Sequence, residues 1–288
     1  MTDPLDIAAG ESAPFVRIGP PSPTTAIVVA VPHGGRDYPP ELLAAAAGPV
    51  SRLESLEDRH ADLLITQAVA EGAVGIVARS PRAWIDLNRG EEDLEPLLRW
   101  PALSKLPVSS RARSGLGLIP TRIGGRELWR IPPSTASIQR RIDTVHTPYH
   151  AAIAQALDDA WRRFGHAVLL DCHSMPPLHG ARPPQIVIGD RHGRSAAPGL
   201  AARLAATARL HGYTTALNAP YAGAYVLARH GSPSTGIHAV QVEIDRNLYL
   251  EAGLRDVSMG LQPVRALIAD LAREACLAAQ AAFPAAAE

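Results

Sequence analysis

The chain has 288 residues, 47% hydrophobic and 19% charged, enough apolar content for a substantial core in one large domain or two small ones. Its 28 Lys+Arg balance 28 Asp+Glu, which argues against a general polyanion binder and leaves room for a local basic pocket. The two cysteines, Cys172 and Cys276, exclude a disulfide framework and a structural zinc finger and suit a reducing cytosol.

Residues 1–6 lack the basic and apolar regions of a signal peptide. No apolar run reaches the roughly 18 to 20 residues that a membrane span needs. The expected location is the cytoplasm, with neither nucleic acid nor membrane as a partner; the oligomeric state is left open. Residues 1 to about 24 read as an irregular lead-in with a short edge strand at Phe15-Val16-Arg17-Ile18.

Residues 26–31 are apolar and rich in β-branched side chains, a buried strand running into Pro32-His33-Gly34-Gly35-Arg36. A short helix is expected over 39–47. Residues 53–64 lead into a helix ending near 71, with Glu57, Asp58, His60 and Asp62 crowded at its start. Those acids either favour the helix dipole or aim a carboxylate at a cation.

Residues 73–78 form a second buried strand, followed by a stretch from Arg79 to Arg89 that contains Arg82, Asp86 and Asn88. Trp84, Ile85 and Leu87 between these polar residues argue for partial burial. Arginine's planar fork suits two-point binding of carboxylates and oxyanions.

Residues 90–133 have no steady period and contain Gly124-Gly125. Long irregular excursions of this kind are commonly lids or substrate-binding loops. Arg111, Arg113, Arg122, Arg126 and Arg130 within it are read mostly as solvated. Ser134 is an N-cap candidate for a helix that Pro148 breaks or kinks. A second helix over 150–164 stops at Gly165.

The run 167–170 ends abruptly in Asp171-Cys172-His173-Ser174-Met175-Pro176, a buried strand with a polar end. Alternation puts Asp171 and His173 on one face and Cys172 on the other. Further strands are expected at 185–190 and 213–218, a helix at 198–211, and a loop at 219–225 carrying Tyr221 and Tyr225. Over 238–246, Val240, Val242 and Ile244 face one way, Gln241, Glu243 and Asp245 the other. Those carboxylates are the strongest acid–base candidates in the chain. A helix from about 254 to 282 closes the fold.

The alternation of strands and helices predicts an α/β fold: a mixed, largely parallel sheet flanked by helices, as one domain over 1–288 with the excursion at about 90–133 inserted. Four strand ends carry polar clusters, and ligands in open α/β sheets sit beyond such ends. Two histidines from different strand ends with one carboxylate make a three-ligand zinc site with an open position. A further, non-ligating carboxylate is then needed to move protons.

Taken together, Pro32-His33-Gly34-Gly35, the stretch from Ser80 to Asp86-Leu87-Asn88-Arg89, Asp171-Cys172-His173-Ser174-Met175, Gly189-Asp190-Arg191-His192-Gly193, Asn218 to Tyr225 and Gln241-Val242-Glu243-Ile244-Asp245-Arg246-Asn247-Leu248-Tyr249 resemble the N-formylglutamate amidohydrolase family. The resemblance implies a phosphorylase/hydrolase-like fold shared with zinc carboxypeptidases and aspartoacylase. It implies hydrolysis of a small-molecule N-acyl amino acid, N-formylglutamate foremost, to formate and glutamate in histidine degradation. It implies Zn²⁺ on His33 and His173, another divalent transition metal being possible, with Glu243 as general base and acid. Asn88 and Arg89 match a substrate-carboxylate motif, and Arg82 is expected at the oxyanion. Arg191, Tyr221 and Arg246, which lie in the same motifs, are expected to contact substrate. One position departs from the carboxypeptidase pattern: Arg36 stands where an acidic ligand is expected. Asp58 is the preferred third ligand, with Glu57 and His60 as alternatives. Two rival readings are a cysteine amidohydrolase using Cys172 and a non-catalytic carboxylate-binding protein.

Overall fold

The structure, a computed structural model, describes residues 13–98 and 107–282. The first part of the expected lead-in and residues 99–106 of the excursion lie outside the described residues. Strand β1 (Phe15–Ile18) is followed by β2 (Ile27–Val31), the short helices α1 (Pro40–Ala45), α2 (Val50–Glu54), α3 (Ala61–Leu64) and α4 (Thr66–Ala70), and β3 (Val74–Ala78). The excursion holds α5 (Ser110–Arg113) and a small hairpin, β4 (Arg122–Ile123) and β5 (Arg126–Glu127), turning at Gly124-Gly125. Then come α6 (Thr135–Arg141), α7 (Thr147–Phe164), β6 (Ala167–Met175), β7 (Ile186–Gly189), α8 (Leu200–Leu210), β8 (Thr215–Leu217), α9 (Tyr225–His230), β9 (Ile237–Asp245) and α10 (Leu261–Ala282).

Seven strands form one mixed sheet in the order β1-β3-β2-β6-β9-β7-β8. The central strands β3, β2, β6 and β9 are parallel. Strand β1 joins antiparallel at one edge and β7 antiparallel to β9. Central strands are covered on both faces, which is why they read as near-continuous apolar runs. On one side Val29, Leu170, Cys172 and Val242 pack against α4, α8 and α10 through Ala68, Leu204 and Leu267. On the other Val28, Leu169 and Ala239 meet Ile138 of α6, Ile153 and Leu157 of α7 and Val226 of α9. Burying each large aliphatic side chain contributes about 1.5–3 kcal/mol. Among the described residues no helix is long and apolar enough to cross a membrane.

Several expected boundaries shift, each for a local reason. The helix expected to run to residue 71 is broken, because the Asp58 N–H donates to the His33 carbonyl at 2.9 Å and His60 takes a left-handed conformation, φ 60°. The last helix starts at Leu261, not near Leu254, which sits at φ 53°. Pro148 does not break its helix: a π turn at Ile142–His146 connects α6 to α7 and leaves the proline in the first turn of α7, where its missing N–H costs nothing. Gly165 ends α7 in the left-handed region, φ 73°.

Candidate metal centre and cleft

The parallel register sets His173 of β6 directly beside Glu243 of β9. His33 follows β2, next to β6 in the sheet. The turn after His33 passes so close to the Ser80 carbonyl that Gly35 has no room for a β-carbon. Asp58 reaches the same edge because its backbone is tied to His33.

Asp58 Oδ2 lies 2.9 Å from His173 Nδ1 and 3.4 Å from His33 Nδ1. One donor atom from each of the three buried side chains lies within 4.8 Å of the others, a grouping able to hold a metal ion. The opposite nitrogens face carboxylates of their own. His33 Nε2 donates to Asp86 Oδ1 at 2.7 Å and His173 Nε2 to Asp171 Oδ2 at 2.9 Å. Both Nδ1 atoms thereby face Asp58 Oδ2. A carboxylate behind each ligating histidine is the usual way proteins orient imidazoles for metal and raise their basicity. The donor set of two imidazoles and a carboxylate fits Zn²⁺.

The charges are strongly coupled. Burial alone would raise the Asp86 carboxyl, but Arg82, His33 and Arg89 hold it well below the usual carboxylate range. Burial likewise opposes ionisation of Asp58, and hydrogen bonds from His173 and His33 outweigh it. Burial would lower His173, yet Asp171, Asp58 and Glu243 hold it well above the ordinary imidazole value. A metal ion must displace that proton.

These residues open onto a cleft of about 190 Å³ that Glu243, Arg82, Asn88, Arg89, Tyr221 and Arg246 also line. Burial pushes Glu243 up to about 7. Its Oε1 accepts from Gln241 Nε2 at 2.9 Å, and Oε2 has no protein partner among the described residues. Arg82 Nε donates to Asp86 Oδ2 at 2.8 Å. Arg89 Nε donates to the Leu116 carbonyl at 3.0 Å and Nη1 to the Asn88 carbonyl. Asn88 Oδ1 accepts the Val226 N–H at 2.9 Å, fixing the start of α9, while Nδ2 faces the His173–Asp171 pair. Arg246 braces Asp58: Nη2 donates to Asp58 Oδ1 at 3.1 Å and Nε to Ser174 Oγ at 3.1 Å.

Four sequence candidates fall elsewhere. Arg191 is not in the lining of this cleft; its side chain packs near Gly223. Glu57 is engaged by Tyr38 and Arg59, and His60 faces the Arg255 carbonyl. Cys172 is packed in the core on the opposite face of β6, and burial pushes its thiol up, against a nucleophilic role. Arg36, at the departing position, forms a two-point pair with Asp62 at 3.0 Å.

Other contributors had weak signals in the sequence. Asp86 holds both His33 and Arg82. His150 Nε2 donates to the Leu87 carbonyl at 3.0 Å and His146 Nε2 to the Arg89 carbonyl at 2.9 Å, gripping the backbone on either side of Asn88. Burial keeps both imidazoles neutral, His150 being pushed down to about 2. Arg111, read as solvated, lines the cleft together with Leu116 and Ile123 of the same excursion.

A profile of N-formylglutamate amidohydrolase matches residues 25–250. The chain is 33% identical over 234 residues to N-formylglutamate deformylase of Pseudomonas aeruginosa, covering 78% of this chain and 82% of the relative. It is 31% identical over 235 residues to the protein of the same name from Pseudomonas putida, at the same coverage. The crystal structure of an N-formylglutamate amidohydrolase from Ralstonia eutropha JMP134 superposes with a TM-score of 0.84 at 32% identity, over 94% of this chain and 98% of that one. A gene product of Agrobacterium tumefaciens shares the fold, with a TM-score of 0.63 at 17% identity over 93% and 96% of the two chains.

Proposed function

Because this chain belongs to the N-formylglutamate amidohydrolase family, we propose that it is a zinc-dependent deformylase that hydrolyses N-formylglutamate to formate and glutamate. The observation that carries the reading is the convergence of His33, Asp58 and His173 beside Glu243, with an aspartate behind each histidine. Zn²⁺ held by those three side chains would supply a Lewis acid that polarises the formyl carbonyl and acidifies water.

The protein's own groups do the rest. Glu243, with Oε1 steadied by Gln241, takes the proton of the attacking water through Oε2 and passes it to the departing amide nitrogen. Arg82, its Nε anchored on Asp86, turns the rest of its guanidinium to the developing oxyanion. Arg89, held at Nε and Nη1, presents Nη2 to the substrate α-carboxylate, with Asn88 beside it. Arg246 holds Asp58 in place, and Tyr221 forms part of the cleft wall.

The test is formate release from N-formylglutamate. Activity is expected to vanish on exhaustive chelation and to return with added Zn²⁺. Full turnover by metal-free protein would overturn the metal assignment, and inertness of zinc-loaded protein toward every N-formyl amino acid would overturn the reaction.

A further inference from the structure

Four arginines line the cleft, and three of them are committed to the protein. Arg82 is tied to Asp86, Arg89 to two backbone carbonyls, and Arg246 to Asp58 and Ser174. The fourth, Arg111, makes no hydrogen bond or ion pair with its guanidinium among the described residues. It is exposed at the cleft, yet its backbone is firmly placed. Ser109 caps α5 by accepting the Ala112 N–H at 3.1 Å. The Leu116 N–H donates to the Arg111 carbonyl at 2.9 Å, and the Leu116 carbonyl accepts from Arg89 Nε at 3.0 Å. One leucine therefore links the backbone of Arg111 to the side chain of Arg89, setting the two residues side by side at the cleft. The charge of Arg111 is felt at both Arg89 and Tyr221.

The same excursion adds an apolar lining to the cleft, the partly buried Leu116 and Ile123. An apolar lining beside a guanidinium that has no partner among the described residues matches a side chain of methylenes ending in a carboxylate. We propose that Arg111 is the specificity-determining residue that reads the side-chain carboxylate of the N-formyl amino acid, with Leu116 and Ile123 against its methylenes and Arg89 on its α-carboxylate. This rests on the deformylase reading above. The selectivity is a charge-assisted pairing made with the substrate alone, because no protein acceptor among the described residues competes for the Arg111 side chain.

The experiment compares kcat/KM for N-formylglutamate with that for N-formylglutamine, which keeps the α-carboxylate but has a neutral side chain of nearly the same shape, using zinc-loaded wild-type protein and Arg111 variants. Arg111→Gln is expected to lower kcat/KM for N-formylglutamate by about 10- to 100-fold, mostly through KM, and to affect N-formylglutamine much less. Arg111→Glu is expected to make N-formylglutamine the better substrate, and Arg111→Lys to retain part of the acidic preference. Equal losses for both substrates, or an unchanged preference in Arg111→Gln, would overturn the assignment while leaving the deformylase reading intact. Wild-type protein inactive on both substrates overturns that reading, and this inference with it.

Discussion

Burial raises the Glu243 carboxyl to about 7; the Asp58 and Asp171 charges push the same way, while His173 and Arg82 pull it back. A bound dication would pull it down further, so the acid limb of kcat/KM should fall at or below about pH 7. The sign follows from the role. The carboxylate form takes the proton, so activity rises with pH through the limb and levels off above it. Glu243→Gln keeps the shape and the Gln241 contact but has no basic form; turnover should fall at least 100-fold and the limb should disappear. Both profiles are to be measured at saturating zinc, so that metal loss on acidification is not mistaken for Glu243 titration. A limb of the same height and position in Glu243→Gln would show that another group is the base.

Strand β6 is two-faced at the level of single residues. Val168, Leu170 and Cys172 point into the core against α8 and α10, whereas His173 lines the cleft with Asp171 buried behind it. Cys172→Ala should therefore leave deformylation intact and cost about 1 kcal/mol of stability, read by urea unfolding beside the assay. Loss of turnover in a folded Cys172→Ala protein would revive the thiol as nucleophile. This two-residue period is also what made β6 and β9 readable in the sequence, and with them His173, Glu243 and the core position of Cys172. Residues presented by irregular backbone were harder to place. The left-handed His60 and the bond from Asp58 to the His33 carbonyl stop a helix that local pattern extends to residue 71. Helix α9 starts on the Asn88 side chain, 138 residues earlier in the chain, and has no local N-cap to announce it. The π turn that brings His146 under the Arg89 carbonyl is equally invisible to a 3.6-residue period. Arg111 reads as one solvated arginine among several because most of the cleft it lines comes from segments distant from it in the chain.

At the scale of the whole molecule, the three proposed ligands come from three separate parts of the chain: the turn after β2, the loop before α3, and β6 itself. His173 and Asp58 are 115 residues apart, so a metal bound by both acts as a cross-link that the unfolded chain does not offer. Binding to the folded state alone stabilises by mass action, about 4 kcal/mol at a thousandfold excess over Kd. For a chain of this size that is an upward Tm shift of roughly 5–10 °C. The shift should shrink as pH falls, because Asp171, Asp58 and Glu243 outweigh burial to keep a proton on His173, and the ion must expel it. Asp58→Asn should lose most of the shift at every pH, since the amide neither neutralises the ion nor keeps the Arg246 pairing. Thermal scans of chelated and zinc-loaded protein at pH 6 and pH 8 read all of this directly. A Tm indifferent to zinc in the wild type would mean that the His33, Asp58 and His173 cluster is held together by its own hydrogen bonds and takes no ion.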